Sequence, residues 1–195
     1  MTTYQIVVAK YKEDISWTKN LENVIVYDKS DNPIEGAIHR ANVGREAETF
    51  IWHILENYDH LPDHLIFLQG NPFPHMNTNQ INIENLSGEV EPFQTDLYEE
   101  DVNGYSGLKK KEYYEYLFDK ECPTHMQFAM GAQYCVPRHA ILSRPKSFYK
   151  KIFDMLTAYP FVCEPPPEYG FVPDTISAWT IERFWIHIFT PCADA

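Results

Sequence analysis

Asn42-Val43-Gly44-Arg45-Glu46 stands at the start of a run with helical periodicity, and its residue types suit the binding of an anion. A helix N-terminus presents unpaired N–H groups and a partial positive charge. Gly44 would let a phosphate approach the backbone there, and the planar fork of Arg45 matches a phosphate or a carboxylate. The plainer alternative is that Asn42 only caps the helix and Arg45 pairs with a surface carboxylate. A second set of polar groups follows apolar runs. "HLIFLQGNPFPHM", residues 64–76, delivers Gln69, Gly70, Asn71 and His75 to one edge of a core. Lys10, Tyr11, Glu13 and Asp14 follow "YQIVVA", and Asp28 and Lys29 follow "NVIVYDK".

The elements that would position these groups can be read from periodicity. "YQIVVA" (4–9) and "NVIVYDK" (23–29) are β-branched runs that predict buried strands. "EDISWTKNLE" between them carries Ile15, Trp17 and Leu21 and predicts a short helix, which completes a βαβ unit. Ala47, Phe50, Ile51, Ile54, Leu55 and Tyr58 form the stripe of an amphipathic helix, with Pro62 just past its end. "HLIFLQG" then reads as a third parallel strand. Residues 71–108 read as a long loop region, 109–120 as a helix, 126–136 as one or two short strands around Gly131, and 144–159 as an amphipathic helix. "TISAWTIERFWIHIF" predicts one closing helix after the proline-rich "EPPPEYGFVPD". The expected architecture is a single α/β domain over residues 1–195, with a mostly parallel central sheet flanked by helices. In such a sheet ligands bind beyond the carboxyl ends of the strands, where the polar groups above collect.

Several function classes are disfavoured. A net charge of -12 argues against a nucleic-acid partner, and Lys109-Lys110-Lys111 beside Glu112 and Glu115 reads as a solvated helix face. No G-x-G-x-x-G, P-loop or G-x-S-x-G motif is present. His60 and His64 flank Pro62 and cannot share a helical face as metal ligands. Cys122, Cys135, Cys163 and Cys192 are widely spread and read as free thiols. No apolar stretch approaches the ~20 residues of a membrane span, so a cytoplasmic location is the expectation.

Read in order, "VVAKYKEDISW", "VIVYDK", "NVGREAETFIWHILENYDHLPD", "FLQGNPFPH", "GAQYCVPRHAILSRPKSFY" and "ERFWIHIF" resemble a group of proteins from bacteria, fungi and large algal viruses. That group is marked by V-A-R-Y-N-E-D, N-x-G-R-E-A, F-L-Q-G-x-P-x-x-H and E-R-x-W. It is similar to the GT-A class of nucleotide-sugar glycosyltransferases, including a chlorovirus domain that glycosylates the viral capsid protein. The resemblance implies a GT-A-like fold and transfer of a hexose or deoxyhexose from a nucleotide sugar, such as a UDP-sugar, to a glycan or glycoprotein.

It further implies that Ala9, Lys10 and Tyr11 line a pocket for the base, and that Asp28 and Lys29 approach base or ribose. Asn42, Gly44 and Arg45 would meet ribose or diphosphate. Gln69, Gly70 and Asn71 would occupy the corner where GT-A enzymes usually place an Asp-x-Asp motif that holds a metal. Gln133 would bond the sugar, with Gly131 allowing close approach and Tyr134, Trp179 and Trp185 near enough to stack. Glu182 would be the base that deprotonates the acceptor, with Asp174 as second candidate; the plainer alternatives are that Glu182 forms a buried pair with Arg183 and that Asp174 caps the last helix. The missing Asp-x-Asp puts a Mn²⁺ or Mg²⁺ cofactor in doubt, because amide oxygens are weaker ligands than carboxylates. If a metal binds, His75 and acidic residues of the 84–101 segment would help hold it; if none does, Arg45 or Lys29 must neutralise the diphosphate. The alternatives are a non-catalytic nucleotide-sugar or glycan-binding module, and a hydrolase using the same cleft.

Overall fold

A computed structural model of the chain describes residues 2–78, 80–81, 83, 86–104, 107–158 and 175–190. Asp174, Cys163, Cys192 and the proline-rich segment fall outside the described residues. The chain forms β1 (Tyr4–Lys10), β2 (Val24–Asp28), β3 (Ile38–His39), α1 (Arg45–Asn57) and β4 (His64–Gln69). It continues through β5 (Glu91–Pro92), β6 (Leu97–Asp101), α2 (Lys110–Phe118), β7 (His125–Ala129) and β8 (Tyr134–Pro137). Helices α3 (Arg138–Leu142), α4 (Lys146–Thr157), α5 (Thr175–Glu182) and α6 (Trp185–Phe189) follow.

Six strands make one sheet in the order β3-β2-β1-β4-β8-β5. β1 pairs in parallel with both β2 and β4, β2 pairs in parallel with β3, and β8 runs antiparallel to β4 and β5. The expected α/β fold with a mostly parallel sheet is therefore the one observed. A strand buried on both faces reads as an unbroken apolar run, which is why β1 and β4 were legible. On β1, Val7 faces the larger core with Phe50, Ile54, Phe67, Ile152 and Trp185, while Ile6 and Val8 face a smaller one with Ile66, Leu68 and Cys135. Phe50, Ile51 and Ile54 on α1 are almost wholly buried. Each contributes about 1.5–3 kcal/mol by leaving water, so the apolar stripe of α1 fixes which face of that helix packs on the core.

The differences from expectation have local causes. The segment after β1 is a 3-10 helix over Ser16–Asn20. The Trp17 indole N–H donates to the Gly70 carbonyl at 2.9 Å and ties this segment to the end of β4. The closing helix is two helices. Arg183 N–H bonds back to Thr180 and Phe184 N–H to Ile181, tight i to i-3 bonds that end α5 at Glu182 and re-aim the chain. The 71–108 region contains a 3-10 turn at Phe73–His75 and the strands β5 and β6. Lys110 does not belong to a solvated face: it is 1% exposed, while Lys109 and Lys111 are exposed as expected. Cys122 and Cys135 are buried free thiols. Among the described residues, no helix is long and apolar enough to cross a membrane.

Candidate active site

The carboxyl ends of β1, β2 and β4 lie at one edge of the sheet, with the start of α1 beside them. Lys10 and Asp28 close β1 and β2 and pair with each other, their charged atoms 2.9 Å apart and both buried. Burial alone would raise the Asp28 carboxyl, but hydrogen bonds from Ser30, Lys10 and Ile34 outweigh it and hold the group at about 2. Lys29 is also buried. Its ammonium lies 2.7 Å from Glu48 and donates to the carbonyls of Val43 and Arg45, both at 2.6 Å. Burial pulls its proton affinity down, against the attraction of Glu48. Glu48 also pairs with Arg40, which stacks 3.8 Å over Trp52. Lys29 thus fastens the 43–45 loop to α1, and its three N–H donors are engaged by Glu48, Val43 and Arg45.

Gly44, at φ 62, is the residue that precedes α1, so Asn42 is not its cap. A Cβ at Gly44 would lie 2.8 Å from the Glu48 Cβ and 3.1 Å from that of Leu156. The glycine is explained by the packing of α1 on α4, a role that its place beside Arg45 did not reveal. Asn42 is exposed, and Arg45 keeps its side chain about half exposed, 3.7 Å from Glu46.

Arg45, Gln69, His75, Gly131, Trp179 and Glu182 line one cavity of about 290 Å³. Glu46, Phe128, Met130 and Arg183 complete its wall. The structure therefore brings together Arg45, Gln69, His75 and Glu182 from four separate stretches of sequence. Ala9, Lys10, Tyr11, Asp28, Lys29, Asn42, Gly70 and Asn71 do not line it. Ala9 is buried in the sheet, Tyr11 is half-buried with its N–H on Glu13, and Asn71 is exposed. Gly70 lets Glu13 come close, for a Cβ there would sit 2.7 Å from the carboxylate.

Glu182 is the most unusual group of the cavity. Its Oε1 accepts the Gly131 N–H at 2.7 Å, and its Oε2 accepts from Arg183 at 2.8 Å. Burial raises the proton affinity of the carboxyl, and Arg183 and the Gly131 N–H only partly oppose it. A carboxylate desolvated in this way at a cleft is poised to take a proton. Gln133 is 2% exposed and donates to Gln69 at 3.0 Å and to the Pro72 carbonyl at 3.3 Å. Its Oε1 is buried without a partner. Gly131, at φ 80, makes room for that oxygen and for His75, which a Cβ would meet at 2.6 and 2.9 Å. Gly131 lines the cavity, whereas Gln133, expected to bond the sugar, is buried against Gln69 and Pro72 and does not line it. Of the aromatic residues considered for stacking, Tyr134 and Trp185 are core and Trp179 lines the cavity.

Sequence reasoning gave no separate role to Glu46 or Glu100 and read the buried Lys110 as solvated. Glu46 was visible within "NVGREA", whereas Glu100 belongs to a strand with mostly exposed residues and carries no apolar signal. The metal proposal fares differently. Gln69 is bonded to Gln133, Asn71 lies outside the cavity, and among the described residues no three His, Cys, Asp or Glu side chains converge as a metal site.

A family model described as "Protein of unknown function (DUF3431)" matches residues 6–110 and 75–194. No curated protein and no solved structure matches the chain.

Proposed function

The chain belongs to the DUF3431 family, and we propose that it is a glycosyltransferase that moves a hexose or deoxyhexose from a UDP-sugar to a glycan or glycoprotein acceptor in the cytoplasm. The observation that carries this is Glu182, a largely desolvated carboxylate of raised proton affinity, in a cavity shared with Arg45, His75 and Trp179 beyond the ends of parallel strands. The resemblance to GT-A enzymes supports the same assignment. The acceptor hydroxyl gives its proton to Glu182 as its oxygen bonds to the anomeric carbon. The bond from that carbon to the diphosphate breaks, and UDP leaves with the electron pair. Arg45 and the first N–H groups of α1 meet the developing negative charge. Trp179 offers a ring face to a sugar.

Calorimetric titration with UDP, UDP-sugars and GDP-sugars, with and without Mn²⁺, tests this. UDP is expected to bind in both conditions. Arg45→Ala weakens UDP about tenfold or more, the worth of a charge-assisted hydrogen bond, and leaves uridine affinity nearly unchanged. Equal losses for UDP, UMP and uridine would remove Arg45 from the diphosphate. Failure of every nucleotide to bind would end the glycosyltransferase proposal. Binding without UDP release would favour a module, and release without an acceptor would favour hydrolysis.

A further inference from the structure

We propose that Glu100 and Lys110 are positioning residues for Glu182, acting through Arg183, whose guanidinium charge is divided between two carboxylates. This rests on the assignment of Glu182 as the base. The groups form an alternating chain of charge from α2 through β6 to the end of α5. Lys110 lies 2.9 Å from Glu100 Oε2 and also donates to the Asp101 carbonyl at 2.7 Å. Arg183 Nε approaches the same Glu100 oxygen at 3.4 Å, while its Nη1 donates to Glu182 Oε2 at 2.8 Å.

The placement follows from register. Tyr98 pairs with Phe128 and Glu100 with Met126 across β6 and β7, so Glu100 and Phe128 present their side chains on one face of that ribbon. Arg183 lies over the Phe128 ring at 4.8 Å with Glu100 beside it. Its Nη1 is also anchored on the Trp179 carbonyl at 3.2 Å, so the guanidinium stays in place when one charged neighbour is changed.

A carboxylate that had an arginine to itself would hold its proton too weakly to act as a base, because the nearby cation favours the charged form. Here Glu100 draws on Arg183, and Lys110 in turn draws on Glu100. The two outer residues therefore act on Glu182 in opposite senses. Removing the Glu100 charge strengthens the pull of Arg183 on Glu182; removing the Lys110 charge strengthens the hold of Glu100 on Arg183. Among the described residues, the other groups that face Glu182 include the Gly131 N–H from the β7–β8 turn, Tyr134 of β8, His75 from the turn after β4, and Arg45 and Glu46 from α1. None of these changes in the variants below.

The test is a carbon-13 titration of the Glu182 carboxyl in glutamate-labelled full-length protein, its signal identified by loss in Glu182→Gln. Glu100→Gln lowers the midpoint by about 0.5 pH unit or more, and Lys110→Met raises it by a similar amount. Glu100→Asp, which keeps the charge, stays close to wild type. The acid limb of the pH profile for UDP release moves with the same signs. Midpoints that stay fixed in Glu100→Gln, or that move in one direction in both charge-removing variants, overturn the proposal even if the melting temperature falls. If no UDP release occurs with any donor, the catalytic assignment fails, and the titration still decides whether Glu100 and Lys110 govern the carboxyl.

Discussion

Glu182→Gln is expected to slow sugar transfer about a thousandfold, the middle of the range for loss of a general base, with UDP affinity unchanged. The amide keeps the size of the side chain and can still accept the Gly131 N–H that the carboxylate accepts at 2.7 Å. What it cannot do is take a proton. A loss in turnover with unchanged nucleotide binding separates removal of the base from collapse of the cavity. The wild-type profile should carry an acid limb above the ordinary carboxylate range. Burial favours the protonated form of Glu182, so activity is present above its raised value and falls as pH drops through it. A Glu182→Gln protein with near-normal turnover would show that the base lies elsewhere, and Asp174 would become the candidate.

Lys29→Met should destabilise the protein by about 3 kcal/mol, the lower end of the cost of breaking a buried pair, because Glu48 keeps one of its two cations. Glu48 would keep only Arg40, and the carbonyls of Val43 and Arg45 would lose the ammonium that now bridges them at 2.6 Å. For a chain of this size that corresponds to a fall of about 10 °C in melting temperature. UDP binding should weaken with it, because the loop that carries Arg45 is no longer fastened. Lys111→Ala, at an exposed position, serves as the control and should stay within about 0.5 kcal/mol of wild type. A Lys29→Met loss below about 1 kcal/mol would mean that the loop is held by packing of Gly44 against Leu156 rather than by the ammonium.

Most of the sheet and the long helices were legible because their signals are local. β1, β2 and β4 are apolar runs of strand length, and α1 and α4 carry stripes of helical period. β5 and β6 were not legible. The first is two residues long, and the second holds its face with Tyr98 and Glu100, so neither alternates in the manner of a half-buried strand. The same limit explains the site. Arg45, Gln69, His75 and Glu182 could be named from strand ends and the resemblance, yet their convergence depends on α5 stopping at Glu182 and turning. Lys10, Asp28 and Lys29 stood at strand ends as a ligand would require. The distances show instead that Lys10 and Asp28 hold each other and that Lys29 holds a loop. A charge at a sheet edge has the same appearance in sequence whether its partner is a ligand or a neighbouring strand. Glycines were ambiguous for a similar reason: Gly44, Gly70 and Gly131 each permit close approach, but what approaches is Leu156, Glu13 or Gln133 and His75.

The most direct test of the donor site is a crystal structure of the chain grown with UDP and no added metal. The diphosphate should lie in the cavity of Arg45, Gln69, His75 and Glu182, within hydrogen-bond reach of the Arg45 guanidinium, with room beside Trp179 for the sugar. UDP held instead in the separate cavity between Val24 and Ile38, or in the one lined by Val90, Phe93 and Leu97, would contradict this placement of the donor.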